Sequence, residues 1–258
     1  MLRELARRLG TVTPKHPVPM RTTFRDCFLV NFLMDPATLA RVLPPPLEPD
    51  LAGGRAFLSV VIADMDRMRP AFLPAVCGVT YRQVVYRAVV RCGPERGVHF
   101  LCSDADNRLM VFMGNLLSFF SFHEARIIGG RSGRKHHIDL ATAPDGHANI
   151  HASFDLASAS RTVPAGSVFP SFDEAQAFLV ELYAAFHPQA GESAVSTVRI
   201  KRGAWHISFV DAPRARFAFM DGSAAFPAGS TRVDSVMYVE DIEYSWQTLD
   251  RPGIHPLR

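Results

Sequence analysis

The feature that most constrains the fold is a series of apolar runs, rich in valine, isoleucine, phenylalanine and tyrosine, separated by short breaks. Residues of these types favour strands, and breaks such as Gly53-Gly54 and Pro144-Asp145-Gly146 are typical of turns between antiparallel neighbours. The pattern therefore predicts a mainly β protein of the α+β type. The predicted strands cover residues 24–32, 55–64, 79–91, 98–102, 122–128, 147–156, 198–210, 215–219 and 233–248.

Three helices are predicted beside these strands. Asp35 as N-cap and Pro36 at the first helical position indicate where one helix begins. Ser171 and Glu174 form a capping box before an apolar helical face, and Pro188 ends that helix. So few helices among many short strands favour a closed or sandwich-like β architecture. The three predicted helices cover residues 36–43, 107–117 and 172–187.

The size and composition favour a globular protein. With 258 residues, of which 48% are hydrophobic, the chain can bury a sizeable core. The formal charge is only +3 and charged residues make up 21% of the chain, so the positive charge is too sparse to indicate a nucleic-acid partner. No run is long and apolar enough to span a bilayer, and we expect no membrane partner.

The N-terminal segment MLRELARRLG is basic and amphipathic and lacks the apolar core of a signal peptide. We interpret residues 1–23 as an arm or short helix and residues 24–250 as a single domain. The four cysteines form no CxxC pair, which favours free thiols in a reducing cytoplasm. The sequence contains no GxGxxG, P-loop or GxSxG motif, and we expect no cofactor.

The order of segments from residue 24 to residue 248 resembles an uncharacterised family that is grouped with acetoacetate decarboxylase. The resemblance implies a cone-shaped, closed antiparallel β-barrel around an internal pocket, with a few helices packed outside. No single motif is diagnostic, and the ordered set carries the resemblance. The segments are FRDCFLVNF, DPATLARVLPPPLEPD, GGRAFLSVVIADMDRMRP, LPAVCGVTYRQVVYRAVV, RGVHFLCSDADNRLMVF, SFFSFHEARI, PSFDEAQAFLVELYAAF, VRIKRGAWHISFVDA and SVMYVEDIEYSWQTL.

The resemblance also implies that the lysine of the decarboxylases is missing. In those enzymes a buried lysine forms a Schiff base with the substrate ketone. The two adjacent lysines of the family fall at Phe122 and His123 here, and a family glutamate falls at Gln83. A phenyl ring cannot attack a ketone, so we expect no Schiff-base decarboxylation. The lysines of this chain are Lys15, Lys135 and Lys201, and none lies in an apolar segment.

Arg87 and Gln83 are candidate pocket residues because they share one face of a predicted strand. The Arg87 guanidinium could bind a substrate carboxylate or carbonyl, helped by the Gln83 amide. Alternatively, Arg87 faces solvent or pairs with a structural acid. Tyr81 is a candidate for the pocket rim, and so is Arg82.

His123 is the candidate acid–base group, acting with Gln83, because it takes the place of a family lysine and titrates near neutral pH. The alternative interpretation is a packed core histidine. The neighbouring Glu124 would then point to the other face of the strand. Phe120 and Phe122 are expected to contact the substrate or to fill the pocket.

The histidines at positions 136, 137, 147 and 151 suggest a metal site, because a hairpin could bring some of them together. A closed site needs three or four converging ligands, however, and adjacent residues diverge on a strand. We therefore expect a solvated hairpin and no metal.

Two functional hypotheses follow from these features. In the first, the pocket binds a small keto or carboxylate compound and transforms it by acid–base, lyase-type chemistry without a covalent amine. In the second, the protein is a non-catalytic ligand-binding or structural member of the family whose pocket is filled by aromatic side chains. Long strands with free edges also make a homo-oligomer plausible.

Overall fold

The computed structural model describes residues 15–142, 148–188 and 195–250. Within these ranges the chain forms three α-helices, α1 (Pro36–Ala40), α2 (Arg108–Leu117) and α3 (Phe172–Leu179), and one short 3-10 helix (Ala75–Cys77). The strands are β1 (Met20–Met34), β2 (Glu48–Pro49), β3 (Leu51–Ala52), β4 (Arg55–Pro70), β5 (Val79–Cys92), β6 (Glu95–Ala105), β7 (Phe122–Ser132), β8 (Lys135–Thr142), β9 (Ile150–Ser160), β10 (Ala184–Pro188), β11 (Val195–Arg202), β12 (Ser208–Phe217) and β13 (Thr231–Asp250).

The strands form one large sheet that closes on itself twice. Strands β13, β1, β4, β5 and β6 form a central sheet of antiparallel neighbours. One connection from β6 back to β13 runs through β7, β8, β9 and β12 and closes the first ring. The other runs through β10 and β11 and closes the second ring. Two pairs, β6–β7 and β6–β10, are parallel, and the remaining neighbours are antiparallel.

The central sheet is buried on both faces, because alternate side chains point into different rings. On β1, Phe28 and Val30 belong to the apolar core of the first ring. Their neighbours Cys27 and Leu29 belong to a second core, which includes α3 and the second ring. This burial explains why β1, β4 and β5 are nearly continuous apolar runs rather than alternating ones.

The prediction of a mainly β fold with few helices is confirmed, and the helix starts were predicted correctly. Asp35, Asn107 and Ser171 are the N-caps of the three helices, and each side chain accepts a backbone hydrogen bond. Strand β1 begins at Met20, four residues before the predicted start. Residues 1–14 of the predicted arm lie outside the described residues, and no described helix is long and apolar enough to cross a membrane.

Several elements were predicted wrongly. The third helix ends at Leu179, and residues 184–187 of its predicted range belong to β10 instead. The predicted strand 198–210 is two strands, β11 and β12. Strand β8 was missed, although its buried and exposed residues alternate along its whole length. Strands β10 and β11 pair with β6 and β13, which are distant in sequence, and local propensity does not encode that pairing.

Candidate functional site

A cavity of about 240 Å³ lies between α2, the start of β5, the end of β13 and the chain before β1. Four of the residues that the sequence selected line this cavity: Tyr81, Gln83, Phe120 and Phe122. Two others, Arg87 and His123, do not line it. Four of these six residues therefore line one cavity, and two lie elsewhere.

Phe122 is held in the cavity wall by its neighbours on α2. The Asn115 side chain accepts a hydrogen bond from the backbone N–H of Phe122 and donates one to its carbonyl, both at 2.9 Å. Gly114 allows the ring to approach the helix, because a Cβ at that position would lie 2.5 Å from Phe122 Cδ2. These contacts hold Phe122, the first residue of β7, in the cavity wall, and its apolar ring faces the cavity.

Tyr81 and Gln83 form a polar pair on the same face of β5. The Tyr81 hydroxyl donates a hydrogen bond to Gln83 Oε1 at 3.0 Å. Burial raises the pKa of Tyr81, so the phenol keeps its proton and remains a donor. No described residue accepts a hydrogen bond from Gln83 Nε2, which leaves the two amide hydrogens available to a bound molecule.

Most of the cavity wall is apolar. It includes four methionines, whose unbranched side chains adapt to ligands of different shape. Trp246, on β13, adds an aromatic wall, and its indole Nε1 is buried without a hydrogen-bond partner among the described residues. The arrangement suits a molecule that is largely apolar and has one polar end. The methionines are Met20, Met68, Met110 and Met113.

Sequence reasoning missed three residues at this site: His16, Arg69 and Lys15. His16 and Arg69 line the cavity. Lys15 donates hydrogen bonds to the carbonyls of Asn115 and Leu116 at the end of α2, and burial lowers its pKa. The segment before β1 carries no pattern that links it to α2, so only the fold could reveal these residues.

His16 is a buried, neutral imidazole in a row of aromatic rings. Its ring centroid lies 5.7 Å from that of Phe119, whose ring stacks on His187 at 4.5 Å. Burial, helped by the nearby Lys15 charge, lowers the pKa of His16 to about 4. Burial likewise lowers the pKa of His187 to about 4. Protonating either ring therefore opposes the folded state.

His16 is predicted to make the protein sensitive to mild acid. Its pKa is depressed in the folded state, so unfolded chains take up a proton as the pH falls below about 6.5, whereas folded chains resist until about 4. The neutral His16 side chain therefore contributes to the free energy of unfolding fully above pH 6.5, and this contribution is lost between pH 6.5 and about 4. Between pH 7 and 5 we expect the free energy of unfolding to fall by roughly 2 kcal/mol more in the wild type than in His16→Gln.

Urea unfolding at the two pH values measures this difference. His151→Gln is the matched control, because the His151 side chain is 69% exposed. An acid-induced loss of stability that is equal in the wild type and in His16→Gln would contradict the prediction.

His123 lies on the opposite face of β7 from Phe122. It is in phase with Ala125 and Ile127, which belong to the core of the first ring. Its Nδ1 lies 3.7 Å from Oδ1 of the fully buried Asp104 on β6. His123 therefore contributes to the interior of the first ring, and the cavity receives Phe122.

Arg87 is buried beneath α3 rather than in the cavity. Its Nη2 donates a hydrogen bond to the carbonyl of Leu179, the last residue of that helix, at 3.1 Å. Arg96 donates to the preceding carbonyl, that of Phe178, at 3.3 Å. Cations are favourable at a helix C-terminus, where the carbonyls have no partner within the helix. The position of Arg87 thus agrees with a structural role more than with substrate binding.

The histidines near the β8–β9 hairpin do not converge. His137 and His151 are exposed, and His151 pairs with Asp139 at 2.7 Å. His147 lies outside the described residues. His136 is only 2% exposed and points into the first ring, so the prediction of a solvated hairpin is wrong for this residue. The alternation of β8 explains this placement, because it turns His136, Ile138 and Leu140 inward together.

Comparison with known proteins gives a family and a fold. Residues 21–243 match the DUF2071 family, described as an uncharacterized conserved protein. The uncharacterized protein YqjF of Bacillus subtilis (strain 168) is 25% identical over 150 residues, which are 58% of this chain. The match spans 62% of the length of YqjF, so it leaves more than a third of that relative unmatched.

Three solved structures share the fold at low sequence identity. Acetoacetate decarboxylase from Legionella pneumophila has a TM-score of 0.62 and 12% identity, and the match covers 91% of this chain and 88% of that one. An acetoacetate decarboxylase-like enzyme from Sphingomonas wittichii RW1 has a TM-score of 0.60 and 15% identity, covering 91% and 92%. The enduracididine biosynthesis enzyme MppR, in complex with pyruvate, has a TM-score of 0.59 and 14% identity, covering 92% and 90%.

Proposed function

The chain belongs to the DUF2071 family, and from that premise we propose that its cavity binds, without a covalent bond, a small apolar molecule with a carbonyl or carboxylate end. The observation that carries this proposal is the amide of Gln83. Its Oε1 is occupied by the Tyr81 hydroxyl, and its Nε2 has no acceptor among the described residues. An amide N–H in an apolar cavity gains most by donating to an oxygen of the ligand.

Arg69 supports the presence of a carboxylate on such a ligand. Its Nε and Nη1 donate to the carbonyls of Leu73 and Arg67, which hold the guanidinium in place at the cavity wall. Nη2 has no acceptor among the described residues, and no described carboxylate forms an ion pair with Arg69. A held guanidinium with a free N–H is suited to binding an anion.

The cavity volume limits the size of the ligand. About 240 Å³ holds about eight water-sized groups at about 30 Å³ each. An oxo acid with an apolar chain of roughly six carbons would occupy this space. Pyruvate, which is bound to MppR, is smaller and would leave the methionine-lined part of the cavity empty.

A binding series tests the proposal. Calorimetric titration with straight-chain 2-oxo acids from pyruvate to 2-oxooctanoate is expected to show affinity that rises with chain length, because each added methylene is buried against apolar wall. Gln83→Leu is expected to weaken binding about tenfold, which corresponds to the loss of one hydrogen bond.

Gln176→Leu is the matched control, because this glutamine is partly exposed on α3 and its side chain bonds only to Glu181 among the described residues. Its affinity for the ligands should equal that of the wild type. If no chain length binds, or if Gln83→Leu binds as tightly as the wild type, the proposed mode of binding is wrong.

A second candidate is acid–base catalysis on the bound carbonyl compound, and His16 is the observation that favours it. This imidazole lines the cavity and is neutral above pH 4, so it can accept a proton from a bound molecule. The same titration mixtures separate the two candidates when they are followed by NMR in D₂O. Catalysis is favoured if the ligand hydrogens next to the ketone exchange for deuterium with the wild type and do not exchange with His16→Gln. Binding alone is favoured if the ligand signals stay unchanged with both proteins.

A further inference from the structure

A second polar cluster lies on the other face of the central sheet, at one end of the first ring. Asp26 on β1, Asp64 on β4 and His136 on β8 each offer one ligand atom, and these atoms lie within 4.8 Å of one another. The strands β1 and β4 are neighbours, and β8 reaches the cluster from across the ring. None of the three residues lines the cavity described above.

His136 is the unusual member of the cluster. The side chain is 2% exposed, and neither Nδ1 nor Nε2 has a hydrogen-bond partner among the described residues. Phe28 packs against the ring at 4.8 Å between centroids and offers no polar contact. Buried polar groups are almost always hydrogen-bonded, so two unpartnered ring nitrogens point to a missing ligand such as an ion or water.

The two carboxylates are oriented by neighbouring donors. Tyr238 donates its hydroxyl to Asp26 Oδ1 at 2.5 Å, and Arg82 Nε donates to Asp64 Oδ1 at 3.0 Å. The second oxygen of each carboxylate accepts no hydrogen bond from a described residue. Donors that hold one oxygen and leave the other free are the usual outer partners of metal-binding carboxylates.

We propose that Asp26, Asp64 and His136 bind a divalent metal ion, and that zinc fits this donor set best. Imidazole favours zinc over magnesium or calcium, and carboxylates complete many zinc sites. The two carboxylates and Arg82 together carry one net negative charge, which favours binding of a cation. Asp26 and Asp64 are partly exposed, so the ion can enter from solvent.

Three protein ligands leave a coordination position open. Zinc binds nitrogen and oxygen at about 2.0–2.2 Å. The three ligand atoms lie within 4.8 Å of one another, and rotation of the carboxylates would bring their oxygens to the ion. Water would take the fourth position, as in zinc sites with three protein ligands.

The test is metal binding by the full, untagged chain after treatment with chelator. Equilibrium dialysis against ZnCl₂, with elemental analysis, is expected to give one tightly bound zinc per chain. Asp64→Asn and His136→Asn should each weaken zinc binding by about 100-fold or more, since loss of an outer partner alone costs 10–100-fold. CoCl₂ in place of zinc should give the visible absorption of a four-coordinate site, and Asp64→Asn should remove it.

Matched controls distinguish this site from adventitious binding. Glu240→Gln alters an exposed acid that pairs with Arg131, and His151→Asn alters an exposed imidazole. Both should bind zinc as the wild type does. Asp64 is partly exposed, so we expect Asp64→Asn to fold. This variant tests the site even if His136→Asn fails to fold. The proposal is overturned if the wild type binds no zinc, or if Asp64→Asn binds it with unchanged affinity.

Discussion

Phe122→Lys is expected to convert a protein that forms no borohydride-stable adduct with acetoacetate into one that does. Phe122 is 5% exposed and lines the cavity beside Tyr81 and Gln83. Its position depends on backbone hydrogen bonds to Asn115, which the substitution keeps. An amine in this apolar wall would have a lowered pKa, because burial disfavours its charged form. The substitution would thus restore the nucleophile that the resemblance to the decarboxylases leads one to expect.

The trapped product follows from the chemistry of the amine. The lysine nitrogen attacks the ketone carbon, water leaves, and an imine forms. Borohydride then delivers hydride to the imine carbon and gives a secondary amine, which intact mass spectrometry detects as a permanent mass increase. Peptide mapping should place the increase at residue 122. Titration of adduct yield against pH should show an amine that reacts near neutral pH.

Two comparisons make this result decisive. Phe72→Lys places the same side chain at a position that is 72% exposed, and it should give little or no adduct because its pKa is not lowered by burial. The wild type should give none, although Lys15 lies at the end of α2 and has a lowered pKa. An adduct in the wild type that disappears in Lys15→Arg would show that this chain has its own reactive amine, and it would contradict non-covalent binding.

Four of the 20 residues that line the cavity could be predicted, because they belong to short local patterns. Alternation along β5 places Tyr81 and Gln83 on one face, and the order of segments selects Phe122. The same alternation could not show which face of β7 meets the cavity, so His123 was selected together with Phe122, although only Phe122 lines the cavity. Helix α2 determines which face of β7 meets the cavity, through the close approach of Gly114 to Phe122 and the hydrogen bonds of Asn115 with Phe122.

Other parts of the structure depend on contacts that no local pattern contains. The end of α3 is set by β10, which inserts between β6 and β11 and turns a helical apolar pattern into a strand. Arg87 sits on the predicted face of β5, but α3 covers it. His136 comes near Asp26 and Asp64 only because the first ring closes, and the three are far apart in sequence. The sequence patterns therefore do not predict which strands pair to close the rings.

Phe28→Ala is expected to be the most destabilising single truncation considered for this protein. Phe28 is fully buried in the first ring, where its ring stacks on Phe154 at 4.1 Å and lies 4.9 Å from Tyr238. Removing a buried phenyl ring loses its transfer free energy and leaves a cavity, which together cost about 3–5 kcal/mol. Urea unfolding followed by circular dichroism measures the change in the free energy of unfolding.

The two tryptophans make the same experiment a test of how the two rings are coupled. Trp205 and Trp246 both pack on the second core, across the central sheet from Phe28. Every central strand supplies both cores, so we expect the rings to unfold together and tryptophan fluorescence to report the same lowered midpoint as circular dichroism. Phe72→Ala, at the exposed position, should change the free energy of unfolding by less than about 0.5 kcal/mol. Separate midpoints for the two probes would instead show that the ring around His136 can unfold while the cavity around Gln83 remains formed.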